Sequence, residues 1–176
     1  MNVERAHGDG PRRGGILIAG GGTAGHVLPG LAVAAALVER GVVADRSDVH
    51  LVGSRRGVEV ELVPGAGFGL TVLGGRGIQR RLTPANVGAL TGLLAGFLRA
   101  FLLMVRARPR VVLSLGGYAS IPCGLAAVVL RVPLVVAEQN AVPGAANRLL
   151  GRFARASAVS FVDTALPRPE LTGNPV

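Results

Sequence analysis

The chain of 176 residues contains no lysine and no tryptophan, one cysteine, one tyrosine and five phenylalanines. A single cysteine, Cys123, excludes an intramolecular disulfide and any cysteine metal cluster, and reads as a small buried residue. The scarcity of aromatics removes the stacking platforms that hold single-stranded nucleic acid, and no nucleic-acid motif is present, so no nucleic-acid partner is expected. Without lysine, the net charge of +9 rests wholly on arginine. Acid is also missing locally: Thr71 to Ala137 contain no Asp or Glu, while Arg76, Arg80, Arg81, Arg99, Arg106, Arg108, Arg110 and Arg131 all fall there. One part of the surface should therefore be positive, as suits phosphorylated ligands or an anionic membrane, or be simply a solvated basic face. The opening residues MNVERAHGDGPRRGG lack the apolar core of a signal peptide. The chain is accordingly expected in the cytoplasm, with residues 1–14 as a disordered polar tail and 15–176 as one domain.

Three stretches without Asp, Glu or Arg, Ile16 to Val38, Leu82 to Leu98 and Val111 to Leu130, have the length of membrane spans, which need about 20 apolar residues. The first and third are broken by Gly pairs and Pro, as a strand, a turn and a helix would be. Continuous apolar runs at Ile16–Ala19, Val49–Gly53, Leu70–Leu73, Val111–Leu115, Leu134–Ala137 and Ala158–Val162 read as strands. Helices are expected at about Val27–Arg40, Gly57–Val63, Pro84–Ala107, Ser120–Leu130 and Gly144–Phe153, with Gly41 capping the first. Buried strands alternating with helices imply an α/β fold, a parallel Rossmann-like sheet with helices on both faces.

Two segments echo each other: ILIAGGGTAGHVLPG and VVLSLGGYASIPCG both run strand, Gly-Gly, polar residue, then a helix with Pro expected in its first turn. Both loops would point helix N-termini and free N–H groups toward one edge of the sheet, which suits a phosphate or diphosphate. Gly20, Gly22 and Gly25 also satisfy G-x-G-x-x-G, the dinucleotide fingerprint. That reading expects an acid after the second strand for the ribose. The sequence there is VGSRRG, and Ser54, Arg55 and Arg56 leave an NADP-binding domain as the rival.

His26 stands at the junction of the first loop and its helix, where a neutral imidazole faces whatever the loop holds and can accept a proton from a substrate hydroxyl. AEQNAVPGAANR, after the fifth strand, brings Glu138, Gln139, Asn140 and Asn147 to the same edge, placed to bind sugar hydroxyls or orient a base, or to make an ordinary turn. In RGIQRRLTPANVGALTGLLAGFLRAFLLMVRARPR a basic entry precedes a helix whose apolar residues, Leu90, Leu94 and Phe97 among them, run around much of the cylinder. That pattern fits a helix buried on one side and dipping into lipid on the other, with Arg76, Arg80 and Arg81 on the headgroups, or a helix buried all round.

Taken together, GGTAGHVLPGLAVA, GGRGIQ, LGGYASIPCGLAA, EQNAVPGAANRLL and the closing GNPV resemble the MurG family, N-acetylglucosaminyltransferases that convert lipid I to lipid II in peptidoglycan synthesis. The resemblance runs from Ile16 to Val176 and covers the N-terminal half of the family's two-domain GT-B fold. It implies an acceptor-binding and membrane-docking domain, with GNPV at the hinge and the C-terminal donor domain absent from this chain. The chain is then an acceptor-domain fragment or one subunit of a split enzyme, the latter a noncatalytic membrane anchor in the alternative.

By the resemblance, His26 is the general base for the 4-hydroxyl of the acceptor, and Glu138 joins it among the catalytic residues. Gly22, Thr23, Ala24 and Gly25 meet the ligand, Asn140 touches the donor, and Tyr118 and Asn147 line the acceptor side. The glycine loops, including Gly116 and Gly117, cradle the lipid diphosphate. The implied partners are UDP-N-acetylglucosamine, lipid I and an anionic membrane surface. The implied location is the cytoplasmic face of the bacterial membrane, with neither metal nor cofactor required. Ala24 and Ala137 depart from the family pattern, which usually has Gly and often His at those positions.

Overall fold

A computed structural model describes residues 10–55, 57–74 and 85–175, with the backbone alone for 85–90. Residues 1–9, Arg56, Arg76, Arg80, Arg81, the GGRGIQ motif beyond Gly74, Val176 and the side chain of Leu90 lie outside the described residues. Seven strands form one parallel sheet in the order β3-β2-β1-β4-β5-β6-β7. They are β1 (Ile16–Gly20), β2 (Val49–Ser54), β3 (Gly69–Leu73), β4 (Val111–Gly116), β5 (Leu134–Glu138), β6 (Ala156–Val159) and β7 (Pro169–Leu171). Five helices connect them: α1 (Ala24–Glu39), α2 (Glu59–Gly65), α3 (Ala85–Ala107), α4 (Ser120–Val129) and α5 (Ala145–Leu150).

Strand alternation sorts the core into two layers. Leu17, Ala19, Val112, Leu134 and Val136 face Ala100 and Met104 of α3, Cys123, Ala126 and Ala127 of α4, and Leu150 of α5. Their neighbours Ile16, Ile18, Val49, Leu51 and Leu115 point the other way, onto Val27 and Ala34 of α1 and Val63 of α2. Burial on both faces explains why the strands read as unbroken apolar runs rather than alternating ones. Cys123 is fully buried, and burial pushes its thiol up to about 12.

Several boundaries move from their expected places. Helix α1 begins at Ala24 because Thr23 is still extended, at φ −134°, while its carbonyl already accepts from His26 and Val27 at 3.1 and 3.2 Å. Pro29 therefore lies in the second turn, whereas Pro122 keeps the first-turn position in α4. Gly41 ends α1 as expected, with φ +66° and its N–H donated to Val38 at 3.0 Å. Strand β6 stops at Val159, earlier than expected, because the apolar Phe161 and Val162 lie exposed in the following loop. Strand β7, three exposed residues that begin with Pro169, carries too little apolar signal to be read.

The reversal of strand order falls at β1, which pairs with β2 on one side and β4 on the other. Gly20 sits opposite Gly116 in the β1–β4 register. The two echoed glycine loops thus lie side by side where an open parallel sheet forms its crevice.

Candidate functional site

The loops after β1 and β4 approach so closely that a Cβ on Gly117, at φ +80°, would collide with the backbone carbonyl of Gly21. Only glycine fits there. Ser120, buried at the start of α4, fastens the pair by donating its hydroxyl to the carbonyls of Ala19 and Gly116 at 2.8 and 2.7 Å. His26 projects from the first turn of α1 across this junction. A Cβ on Gly116, at φ +91°, would lie 3.2 Å from His26 Nε2 and 3.5 Å from Asn147 Nδ2. The other imidazole nitrogen, Nδ1, is 3.1 Å from Thr23 Oγ1. The structure therefore gathers His26, Thr23, Gly116 and Asn147 into one place, with His26 half-buried and Thr23, Ala24 and Gly25 exposed beside it.

The acidic group expected beside His26 is differently employed. Glu138 ends β5 only 3% exposed. Its Oε1 accepts from the backbone N–H and side-chain amide of Asn140 at 3.1 and 2.8 Å, and Oε2 from Gly144 N–H and Asn147 Nδ2 at 2.9 and 3.0 Å. Four donors fill the lone-pair sites of the carboxylate, and these bonds tie it to the loop Gln139–Gly144 and to Asn147. Asn147 is likewise consumed. Its Oδ1 accepts from Ser114 Oγ at 3.1 Å, and its amide also donates to the carbonyl of Ala137 at 2.9 Å. Its amide is thus tied to the protein rather than presented free at the crevice. Asn140 remains exposed at the edge.

Tyr118, expected to line the acceptor side, turns its hydroxyl inward between two carbonyls, Gly74 at 3.0 Å and Gly92 at 2.9 Å. Partial burial raises the phenol above its usual range. Its ring bridges the second glycine loop to α3. On the far side of that helix, Leu94, Leu98, Leu102 and Val105 are 45–59% exposed and fall on one face at helical spacing. Phe97 is not on that face: it lies half-buried against the core, 6.0 Å from Phe101 between ring centroids. The outward stripe is carried by Leu98 and Leu102 instead, and the helix is not buried all round. No helix among the described residues is long and apolar enough to cross a membrane.

One residue of the site escaped the sequence reading. Glu59, the first residue of α2, is 1% exposed and sends its carboxylate under the first glycine loop. It accepts the N–H of Gly22 at 3.0 and 3.2 Å, the N–H of Ser54 at 2.6 Å and the hydroxyl of Ser54 at 2.8 Å. Two expectations change. The N–H of Gly22 is not free for a diphosphate, and the Ser54 hydroxyl is turned away from any ribose 2′-phosphate. The available signal was the run of small residues around it: a Cβ on Gly21, Gly53 or Gly57 would collide with the Glu59 side chain.

Comparison with known proteins identifies the family of this fold. Residues 16–159 match the model of the glycosyltransferase family 28 N-terminal domain. A protein of Myxococcus xanthus is 38% identical over 165 residues, covering 92% of this chain and 42% of its own length. One of Magnetococcus marinus is 44% identical over 170 residues, covering 94% and 45%. Both are named UDP-N-acetylglucosamine--N-acetylmuramyl-(pentapeptide) pyrophosphoryl-undecaprenol N-acetylglucosamine transferase. The crystal structure of Acinetobacter baumannii MurG superimposes with a TM-score of 0.76 at 29% identity, over 93% of this chain and 46% of that one. A UDP-GlcNAc 2-epimerase from Neisseria meningitidis, at 13% identity and a TM-score of 0.66, shares the fold. The chain spans less than half the length of the relatives it matches. Its sequence and its sheet together place it in glycosyltransferase family 28: the chain belongs to that family as an N-terminal domain of the MurG kind.

Proposed function

We propose that this chain is the acceptor-binding half of an inverting N-acetylglucosaminyltransferase that moves N-acetylglucosamine from UDP-N-acetylglucosamine to the 4-hydroxyl of lipid I. The observation that carries the reading is His26, held between the two glycine loops with Nε2 toward Gly116. With its proton on Nδ1 and donated to Thr23 Oγ1, the imidazole has its lone pair on Nε2 in the crevice. That nitrogen takes the hydroxyl proton as the oxygen attacks the sugar carbon and UDP leaves, giving inversion. Thr23, Ala24 and Gly25 meet the reacting sugars, and Asn140 reaches the donor from its exposed edge. The amide groups of Ala24 and Gly25, ahead of the first helical bond of α1, have no helical acceptors and favour negative charge. Because Gly22 is already bonded to Glu59, these groups and the second loop, Gly116–Gly117, are the ones left for the lipid diphosphate.

Docking on the membrane belongs to the same reading. The outward stripe of α3 enters the boundary of an anionic leaflet, and Arg76, Arg80 and Arg81 meet its headgroups. This places the protein peripherally on the cytoplasmic face, where lipid I presents its sugar. The donor is held mainly by a second domain, so transfer requires that domain as well.

The test is His26→Ala, assayed with a donor-binding half supplied in the same or a separate chain. General-base catalysis is worth about 10²- to 10⁴-fold, so kcat should drop by at least about 100-fold with little change in KM. Unchanged turnover would remove His26 as the base. Membrane binding and recruitment of a donor-binding chain, with transfer indifferent to His26, would instead identify a noncatalytic anchoring subunit.

A further inference from the structure

Glu59, buried beneath the crevice, is a group that the chemistry above does not use. Its carboxylate joins two segments distant in sequence, the end of β2 through Ser54 and the first glycine loop through Gly22. The two oxygens do different work. Oε1 gathers both donors of Ser54 and a longer bond, 3.2 Å, from the N–H of Gly22, and Oε2 makes its one bond, at 3.0 Å, to the same N–H. Gly22 itself has φ +95°, in the left-handed region, and a Cβ there would meet nothing within 4 Å. Crowding by a side chain therefore does not hold the loop in that conformation, whereas the Glu59 acceptor behind it gives the Gly22 amide a fixed partner. Thr23 follows immediately in extended conformation and starts α1, so the direction of the Gly22 peptide sets where Thr23 Oγ1 and, three residues on, His26 stand.

We propose that Glu59 is the positioning residue of this site: by holding the Gly22 amide from below, it sets the loop that aims the His26 imidazole at the crevice. This assignment rests on the reading of His26 as the base for its effect on turnover, but not for its effect on the loop. Glu59 touches neither substrate nor reacting atoms. The glycines at 21, 53 and 57 leave the space it fills, so the carboxylate and the three glycines form one unit.

The substitution Glu59→Gln separates the two halves of the bond pattern. The amide oxygen can keep both bonds to Ser54 and the longer one from Gly22, while its NH₂ takes the place of the nearer acceptor and sets donor against donor at the shorter Gly22 bond. Ser54→Ala is the complementary control, removing one bond at the other end and leaving Gly22 held. In nuclear magnetic resonance spectra of this chain, the wild-type Gly22 amide should exchange with solvent at least about tenfold more slowly than an unstructured glycine. In Glu59→Gln its proton should move upfield, its exchange should quicken, and the ring signals of His26 should shift; in Ser54→Ala these signals should stay in place. An unprotected Gly22 amide in the wild type, which needs no variant to fold, overturns the proposal, as do unmoved Gly22 and His26 signals in Glu59→Gln.

Where the wild-type chain supports transfer with a donor-binding half, Glu59→Gln should lower kcat by about 10- to 100-fold, the cost of misplacing a catalytic group, with KM within about threefold and Ser54→Ala near wild type. Wild-type kcat in Glu59→Gln overturns the positioning role. Absence of transfer by the wild type sinks the functional reading and leaves the loop result to decide for Glu59.

Discussion

Histidine serves this domain in two opposite settings. His26 stands half-open in the crevice, whereas His50 on β2 is 4% exposed, with Nε2 2.8 Å from Thr71 Oγ1 on the neighbouring edge strand. Burial disfavours the charged ring and lowers its pKa from 6.5 to about 4. The sign follows from linkage: the folded-state value is depressed, so the contribution to stability is complete above pH 6.5 and is lost as pH falls toward 4. Between pH 7 and 5 the unfolded chain takes up a proton that the folded chain refuses, at a cost of about 2 kcal/mol. Urea unfolding at the two pH values should show that loss in the wild type, and His50→Gln should remove most of it. Equal losses in both proteins would mean that His50 is not buried neutral. Nothing in the sequence separated the two histidines by environment: HLVGS reads as a strand, and which face His50 takes depends on the pairing of β2 with β3. The residues that chemistry makes conspicuous, His26 and Asn140, were legible from their place after strands. Glu59 was not, because its partners lie 5 and 37 positions away in the chain.

Helices carry the next level of specification. Strand positions were legible because two-sided burial leaves an apolar run, and helix α3 was legible from its length. Its outward stripe was not, since an all-round apolar pattern does not say which side the sheet takes; only contact with α4 and β3 settles that. Helix-to-helix fit shows the same dependence on neighbours. Gly124 in α4 faces α5 so closely that a Cβ would lie 2.5 and 2.6 Å from the two terminal methyl carbons of Leu150. In an isolated helix Gly→Ala gains about 1 kcal/mol. Here the added methyl overpacks a fully buried leucine, a change that costs about 1–3 kcal/mol. Gly124→Ala should therefore lower, or at best leave unchanged, the urea midpoint, despite the favourable propensity. A gain of the full intrinsic amount would show that α4 and α5 do not meet as closely as described.

At the scale of the whole molecule, charge and apolar surface are distributed together. The segment free of acid from Thr71 to Ala137 contains all of α3, with Arg99 and Arg106 exposed on the same helix as the outward leucines. Membrane association built this way has an electrostatic part that salt weakens and an apolar part that it does not. Flotation with vesicles containing phosphatidylglycerol should show binding that falls as salt rises from 0.05 to about 0.5 M, a range over which the Debye length shortens several-fold. The double change Leu98→Ser and Leu102→Ser should weaken binding at every salt concentration, and neutralising Arg80 and Arg81 should flatten the salt dependence. Binding indifferent to both sets of changes would refute the docking surface. Membership of the family was legible only through the motifs that the chain shares with it, since no periodicity within these residues announces it.

The bond made by Tyr118 gives that surface a consequence inside the molecule. A phenol has one proton, and here two carbonyls, one after β3 and one on α3, stand within reach of it. At any instant one of them holds the hydrogen and the other is left wanting. The ring that carries this divided bond grows directly out of the second glycine loop, one residue beyond Gly117. A small slide of α3 along the sheet would tip the hydrogen from one carbonyl to the other, and the loop that lies beside His26 would register the shift through a single side chain.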